Sequence, residues 1–110
     1  MSFFNKLYFS NSDSIDIRGK AIGYLQRIGS PEALTPLTNI LLNDTNVDNR
    51  VDAAYVLGEL KYPNALGALE KSVLEDKGVT FEGDNGEFWK VSVKTKSQEA
   101  ILKIKQAEEI

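Results

Sequence analysis

Residues 48–77 read DNRVDAAYVLGELKYPNALGALEKSVLEDK, and residues 16–45 read DIRGKAIGYLQRIGSPEALTPLTNILLNDT. Laid over each other at an offset of 32, they agree at Asp16/Asp48, Arg18/Arg50, Ala21/Ala53, Leu25/Leu57, Pro31/Pro63, Ala33/Ala65, Leu34/Leu66, Leu37/Leu69, Leu42/Leu74 and Asp44/Asp76. Ten of the 29 positions from 16 to 44 are identical without a gap. Ile28/Leu60 and Leu41/Val73 keep their apolar character, whereas Ile17/Asn49 does not. A period of this length marks an array of supersecondary units, none of which can bury its apolar side alone.

Each unit divides into two helical halves. Ile17, Ala21, Tyr24, Leu25 and Ile28 recur at helical spacing, and Val51, Ala54, Leu57 and Leu60 repeat the stripe 32 residues on. Ala53 and Ala54 are small enough to admit a neighbouring helix. Gly29 suits the left-handed end of the first helix, Ser30 can cap the second, Pro31 fits its first residue and Glu32 its positive end. Pro63 repeats the break, with Tyr62 a weaker cap than serine. The second halves follow, carrying Leu34, Leu37 and Leu41, and then Leu66, Leu69 and Val73. The expected architecture is all-α, a short solenoid of about two and a half helix pairs in one domain.

The pattern D-x-R-x-x-A, then L, then P-x-A-L-x-x-L and L-x-D resembles the HEAT-like repeats of the phycobilisome lyase type. The resemblance is strong over residues 14–77 and weak over 88–106. It implies a right-handed stack with first helices on the convex side and second helices on the concave side. For some relatives it also implies a role in attaching or removing bilin chromophores on phycobiliproteins.

A third, partial copy follows at an offset of 44, with Lys94, Ser97, Ala100, Ile101 and Ile104 in the places of Arg50, Ala53, Val56, Leu57 and Leu60. The expected division is therefore an N-terminal cap over 1–13, units over 14–46 and 47–76, an insertion over 77–90, and a half unit over 91–110. The insertion, KGVTFEGDNGEFWK, holds two segments rich in β-branched and aromatic residues around an Asn-Gly pair, which predicts a loop or β-hairpin. Phe3, Phe4, Leu7 and Tyr8 fall on one face of a short helical turn suited to covering the first unit.

The 110-residue chain is 42% hydrophobic and has a net charge of −3. It offers no broad basic field for nucleic acid or an anionic membrane. With no cysteine and no histidine it has no disulfide, thiolate, imidazole base or soft zinc ligand. No apolar run reaches the roughly 20 residues that span a bilayer, and the start of the chain lacks a secretory signal's apolar core. A cytoplasmic, unprocessed protein is expected.

Arg18 and Arg50 occupy one repeat position near Asp44, Asp48 and Asp76, where guanidinium groups can bridge carboxylates and helix-end carbonyls; a structural ladder is expected. Asp44, Asp48, Asp52 and Glu59 are expected at helix starts or facing solvent, with no base-and-nucleophile pair among them. The GDNG stretch with Glu82 and Glu87 offers oxygen ligands but not the spacing of a calcium loop. Lys90, Lys94, Lys96, Lys103 and Lys105 make the C-terminal segment basic after the acidic Glu75, Asp76, Glu82, Asp84 and Glu87. The function expected is a non-catalytic protein-interaction module without cofactor or metal, its partner another protein or a second copy. Its contacts would come from the second helices, through Glu32, Thr35, Asn39, Asn43, Asn64, Glu70, Lys71 and Glu75. The inserted loop, with Phe81, Phe88 and Trp89, is expected to flank that groove, because aromatic residues on loops are enriched at binding hot spots.

Overall fold

The computed structural model describes residues 15–109; the expected cap of Phe3, Phe4, Leu7 and Tyr8 lies outside them. The first unit is helix α1 (Ile15–Ile28), a 3₁₀ turn (Pro31–Ala33) and α2 (Leu34–Asn43). The second is α3 (Val47–Leu60), a 3₁₀ turn (Pro63–Ala65) and α4 (Leu66–Glu75). An antiparallel hairpin, β1 (Val79–Asp84) and β2 (Glu87–Ser92), then leads into α5 (Val93–Glu108). Over the described residues the fold is a mostly helical module of five α-helices, with the hairpin set before the last.

Both units break where the sequence places the break. Gly29 takes φ +61°, and its amide donates to the Leu25 carbonyl at 3.1 Å. Lys61 stands at the same repeat position with φ 57°, donating to Leu57 at 3.2 Å. The left-handed turn is thus kept even where its residue carries a side chain. Ser30 Oγ accepts from the Glu32 amide at 3.3 Å, whereas Tyr62 caps nothing. Its hydroxyl instead donates across the units to the Gly29 carbonyl.

The first helices α1, α3 and α5 lie side by side in one layer, and α2 and α4 form the second. Each second helix also packs on the first helix of the following unit, α2 on α3 and α4 on α5. The core draws on every helix, with Leu25, Leu37, Ile40, Leu41, Leu57, Leu69 and Ile104 fully buried. One expectation changes. In α1 the buried residues are Ala21, Ile22 and Leu25, while Ile17, Tyr24 and Ile28 are exposed. Among the described helices α1 packs chiefly on α3, so its buried face is narrow. Helix α3 is flanked on both sides and buries Val51, Ala53, Ala54, Val56, Leu57 and Gly58. The close approach falls at Gly58, where an added Cβ would stand 2.8 Å from Ala100 Cα.

The hairpin turns through Asn85 and Gly86, both at positive φ (53° and 83°), the type I′ pattern that Asn-Gly favours. It extends two residues beyond the expected insertion. Val91 and Ser92 pair with Thr80 and Val79, and α5 starts only at Val93. Ser92 accepts from the Thr95 amide at 3.0 Å and so caps α5.

Candidate functional site

The arginines form the expected ladder. Arg18 Nε and Nη2 donate to Asp44 at 2.7 and 3.2 Å, and Arg50 repeats the fork on Asp76 at 2.8 and 3.3 Å. Arg50 Nη1 also reaches back to the Asp44 carbonyl at 2.8 Å, tying the second unit to the C-terminus of α2. Each aspartate turns its chain as well: Asp44 Oδ1 accepts from the Asn46 amide and Asp76 Oδ1 from the Gly78 amide, both at 2.8 Å. Bidentate pairs of this kind hold a fixed geometry. Two expectations need correction here. Asp44 is neither at a helix start nor facing solvent; it is buried at the C-terminal cap of α2 because the guanidinium of Arg18 and the Asn49 amide neutralise and bond it there. Asp48 accepts instead from the Thr80 hydroxyl, pinning β1 to the start of α3.

The second-helix layer carries most of the expected contact residues. Thr35 is exposed and Asn39 half-buried on α2, and Glu70 and Lys71 are exposed on α4. Glu32 and Asn64 are exposed too, but in the two 3₁₀ turns at the far end of the layer. Among these residues the spacing brings Thr35 and Asn39 onto one helical face with Leu42, and Glu70 onto one face with Leu74. A shallow groove near the C-terminal ends of α2 and α4 is lined by Leu41, Leu42, Lys71, Glu75 and Lys77. Leu42 and Leu74 escaped the sequence reading. They are identical across the repeat, yet 37% and 83% exposed. Their signal lay in phase: each falls off the stripe formed by Leu34, Leu37 and Leu41 or by Leu66, Leu69 and Val73.

The hairpin does not flank this groove through Trp89. Trp89 lines a crevice with Thr95, Lys96 and Glu99 of α5, and β1 packs on α3, so the hairpin lies along the first-helix layer. The reason is the anchoring. Thr80 is bonded to Asp48, and the Val93 amide donates to the Gly78 carbonyl at 3.1 Å, closing the hairpin's root. Phe81 and Phe88 point away from the helices and are 68% and 78% exposed.

Beneath β1, partial desolvation pushes the Asp52 carboxyl above its ordinary range, with the charges of Asp48 and Glu82 adding to the shift and Lys96 opposing it. Asp52 still keeps solvent-exposed surface, which limits the effect. Lys103 bonds Glu59 at 2.6 Å and stands 5.0 Å above the Tyr55 ring. Among the described residues no group of three or more acidic side chains is placed to hold a metal ion, and no helix is long and apolar enough to cross a membrane.

A sequence profile of the HEAT repeats matches residues 6–80. The chain belongs to the HEAT-repeat family. No curated protein sequence matches it. Its HEAT array is similar to part of a solved structure, epoxyqueuosine reductase with a tRNA-Tyr epoxyqueuosine-modified tRNA stem loop, at a TM-score of 0.59 and 25% identity. That match covers 81% of this chain and 20% of the reductase, falling in the reductase's HEAT domain. The HEAT chain therefore spans one fifth of the length of that protein.

Proposed function

We propose that this HEAT module is a non-catalytic protein-interaction element that binds through the outer surface of α2 and α4. One observation carries the reading: the repeat writes a leucine twice, at 42 and 74, where the fold does not bury it. Two leucines one repeat apart, flanked by Thr35, Asn39, Glu70, Lys71 and Glu75, give an apolar centre with a polar rim, the anatomy of a protein interface. A solenoid presents such an extended surface without a closed pocket. The similar solved structure holds a tRNA stem loop, but here Lys103 is engaged by Glu59 at 2.6 Å and Lys96 by Glu99 at 3.6 Å. With a net charge of −3, these pairs favour a protein surface over an RNA backbone as partner. A photo-crosslinker at position 74 tests the reading in a lysate of the source cells. A discrete adduct is expected from position 74, suppressed by Leu42→Asp and not formed from a crosslinker at Lys20. Equal labelling from both positions would refute it.

The narrower phycobilisome lyase type carries a different expectation, contact with bilin chromophores. Mixing with bilin would then produce a shifted visible absorbance band, whereas an interaction module of the kind proposed leaves the spectrum unchanged.

A further inference from the structure

We propose that Asn85 is a self-modification site: attack by the Gly86 backbone nitrogen removes its side-chain amide, leaving aspartyl and isoaspartyl residues at the tip of the β1–β2 hairpin. The proposal does not rest on the α2–α4 surface. Asn85 is the one asparagine in the sequence that is followed by glycine, whose amide has no side chain beside it to hinder the approach. The Gly86 nitrogen gives up its proton to solvent and bonds to Asn85 Cγ. The Cγ–Nδ2 bond breaks, and the amide nitrogen takes up a proton and leaves as ammonia. Water then opens the cyclic imide. Breaking the new nitrogen–Cγ bond gives aspartate. Breaking the original peptide bond gives isoaspartate, in which the main chain runs through Cβ and Cγ and is one atom longer. Either product adds one negative charge, and neither requires an oxidant.

The fold supplies a gate on this reaction. Asn85 and Gly86 are exposed and both stand at positive φ, 53° and 83°. Ring closure needs the Gly86 nitrogen eclipsed with Asn85 Cβ, and the left-handed first residue of a type I′ turn directs that nitrogen away from it. The tip must therefore open before Asn85 reacts. Two features make opening easy. Asp84 and Glu87 oppose each other directly in the last pair of the register, a like-charge pair that destabilises the hairpin there. Around Gly86 the space is open, since an added Cβ would meet no atom within 4 Å. Opening stays local, because the Thr80–Asp48 bond and the bond from the Val93 amide to the Gly78 carbonyl fix the root. The isoaspartyl link lengthens a two-residue turn on which the strand register depends, and a third carboxylate joins Asp84 and Glu87. Once made, the modification holds the tip open.

The test is to keep the folded chain at neutral pH and body temperature for several weeks and then follow its tryptic peptide 78–90 by mass spectrometry. The peptide is expected to gain one mass unit and to separate into two products, isoaspartyl in excess, more slowly than in the same chain unfolded in urea. Glu87→Thr, which removes the like-charge pair, should slow the folded reaction about two- to five-fold and leave the rate in urea unchanged. Asp84→Thr removes the same repulsion from the other strand and should slow the folded reaction likewise, which guards against a local defect in either variant. Circular dichroism should show the same helix content in all three proteins. A folded wild type whose peptide stays unmodified after the unfolded chain has converted would overturn the proposal. So would a folded variant that converts as fast as the wild type.

Discussion

Gly58→Ala tests the packing on which the third first helix depends. In an unobstructed helix interior this substitution stabilises by about 1 kcal/mol, because alanine loses less backbone entropy than glycine. At position 58 the new Cβ would stand 2.8 Å from Ala100 Cα and 2.9 Å from Ala100 Cβ. Optimal carbon–carbon separation is about 3.5–4.0 Å, so the overlap approaches an ångström. Its nearest partner is a backbone atom, and no rotamer change can relieve it; α3 and α5 must move apart. Overpacking of this kind costs about 1–3 kcal/mol, to which the loosened packing of Ser97 and Ile104 adds. Set against the propensity gain, the net loss is about 1–2 kcal/mol, or a fall in Tm of roughly 5–10 °C for a domain of this size. Urea unfolding followed by circular dichroism reads the change as a lower midpoint at unchanged slope. Gly23 is the control, since nothing lies within 4 Å of its added Cβ, and Gly23→Ala should raise the midpoint. In an Ala100→Gly background the overlap with the methyl group disappears but the overlap with the α5 backbone remains, so rescue should be partial. A Gly58→Ala protein as stable as the wild type would refute the close approach of α3 and α5.

Arg50→Met removes the fork on Asp76 and the bond to the Asp44 carbonyl, and should cost about 2–3 kcal/mol because the aspartate is left largely buried without its cation. A double-mutant cycle with Asp76→Asn should return a coupling of at least about 1 kcal/mol, and additivity would argue against the ladder. Ser97 is fully buried with an unpartnered hydroxyl at the repeat position held by Ala21 and Ala53, so Ser97→Ala should stabilise by about 1 kcal/mol in thermal unfolding. Lys61→Gly should stabilise by a similar amount, about 1 kcal/mol, by relieving a left-handed residue that carries a Cβ. The native Asp52 carboxyl titrates above its unfolded value of 3.8, so the folded state holds the extra proton between the two and stability falls as pH rises through that window. Asp52→Asn should therefore stabilise above the window, by no more than about 0.5 kcal/mol given its exposure, and the gain should vanish below pH 3.8.

The repeat made much of this fold readable because its identities fall where physical chemistry allows few choices. Arg18 and Arg50 each find an aspartate 26 residues on. Pro31 and Pro63 each open a 3₁₀ turn. The Asn-Gly pair announces its hairpin turn. What the pattern did not carry is the number of neighbours each helix has. An amphipathic stripe gives the direction of the core but not its breadth, so Ile17, Tyr24 and Ile28 read as core residues while α1 in fact buries a narrower face. Nor did it carry the side on which the hairpin lies, which depends on the Thr80–Asp48 bond between positions 32 residues apart. Of the candidate contact residues, helical spacing correctly placed Thr35, Asn39, Glu70 and Lys71 on the second helices. It could not show that Trp89 faces α5.

The interruption of the array has a local cause. In the first unit the chain leaves Asp44 through a turn to Asn46, whose side chain accepts the Asn49 amide at 3.0 Å and starts α3 at once. In the second unit Asp76 makes the same turn, but the residue at the Asn46 position is Gly78. Glycine has no side chain to cap a helix, and an added Cβ would stand 2.6 Å from Arg50 Nη2 and 2.9 Å from Asp76 Oδ1, so the fork would have to shift to admit one. The second unit therefore has no side-chain cap where the third unit would begin, although the same turn in the first unit carries one on Asn46. Val79, Thr80 and Phe81 then favour extended backbone over helix. The chain stays extended, doubles back at Asn85–Gly86, and returns to the helical register at Ser92, which caps α5 as Asn46 caps α3. The hairpin, with its outward phenylalanines, therefore follows from Gly78 in place of a capping residue and from the extended backbone that Val79, Thr80 and Phe81 favour.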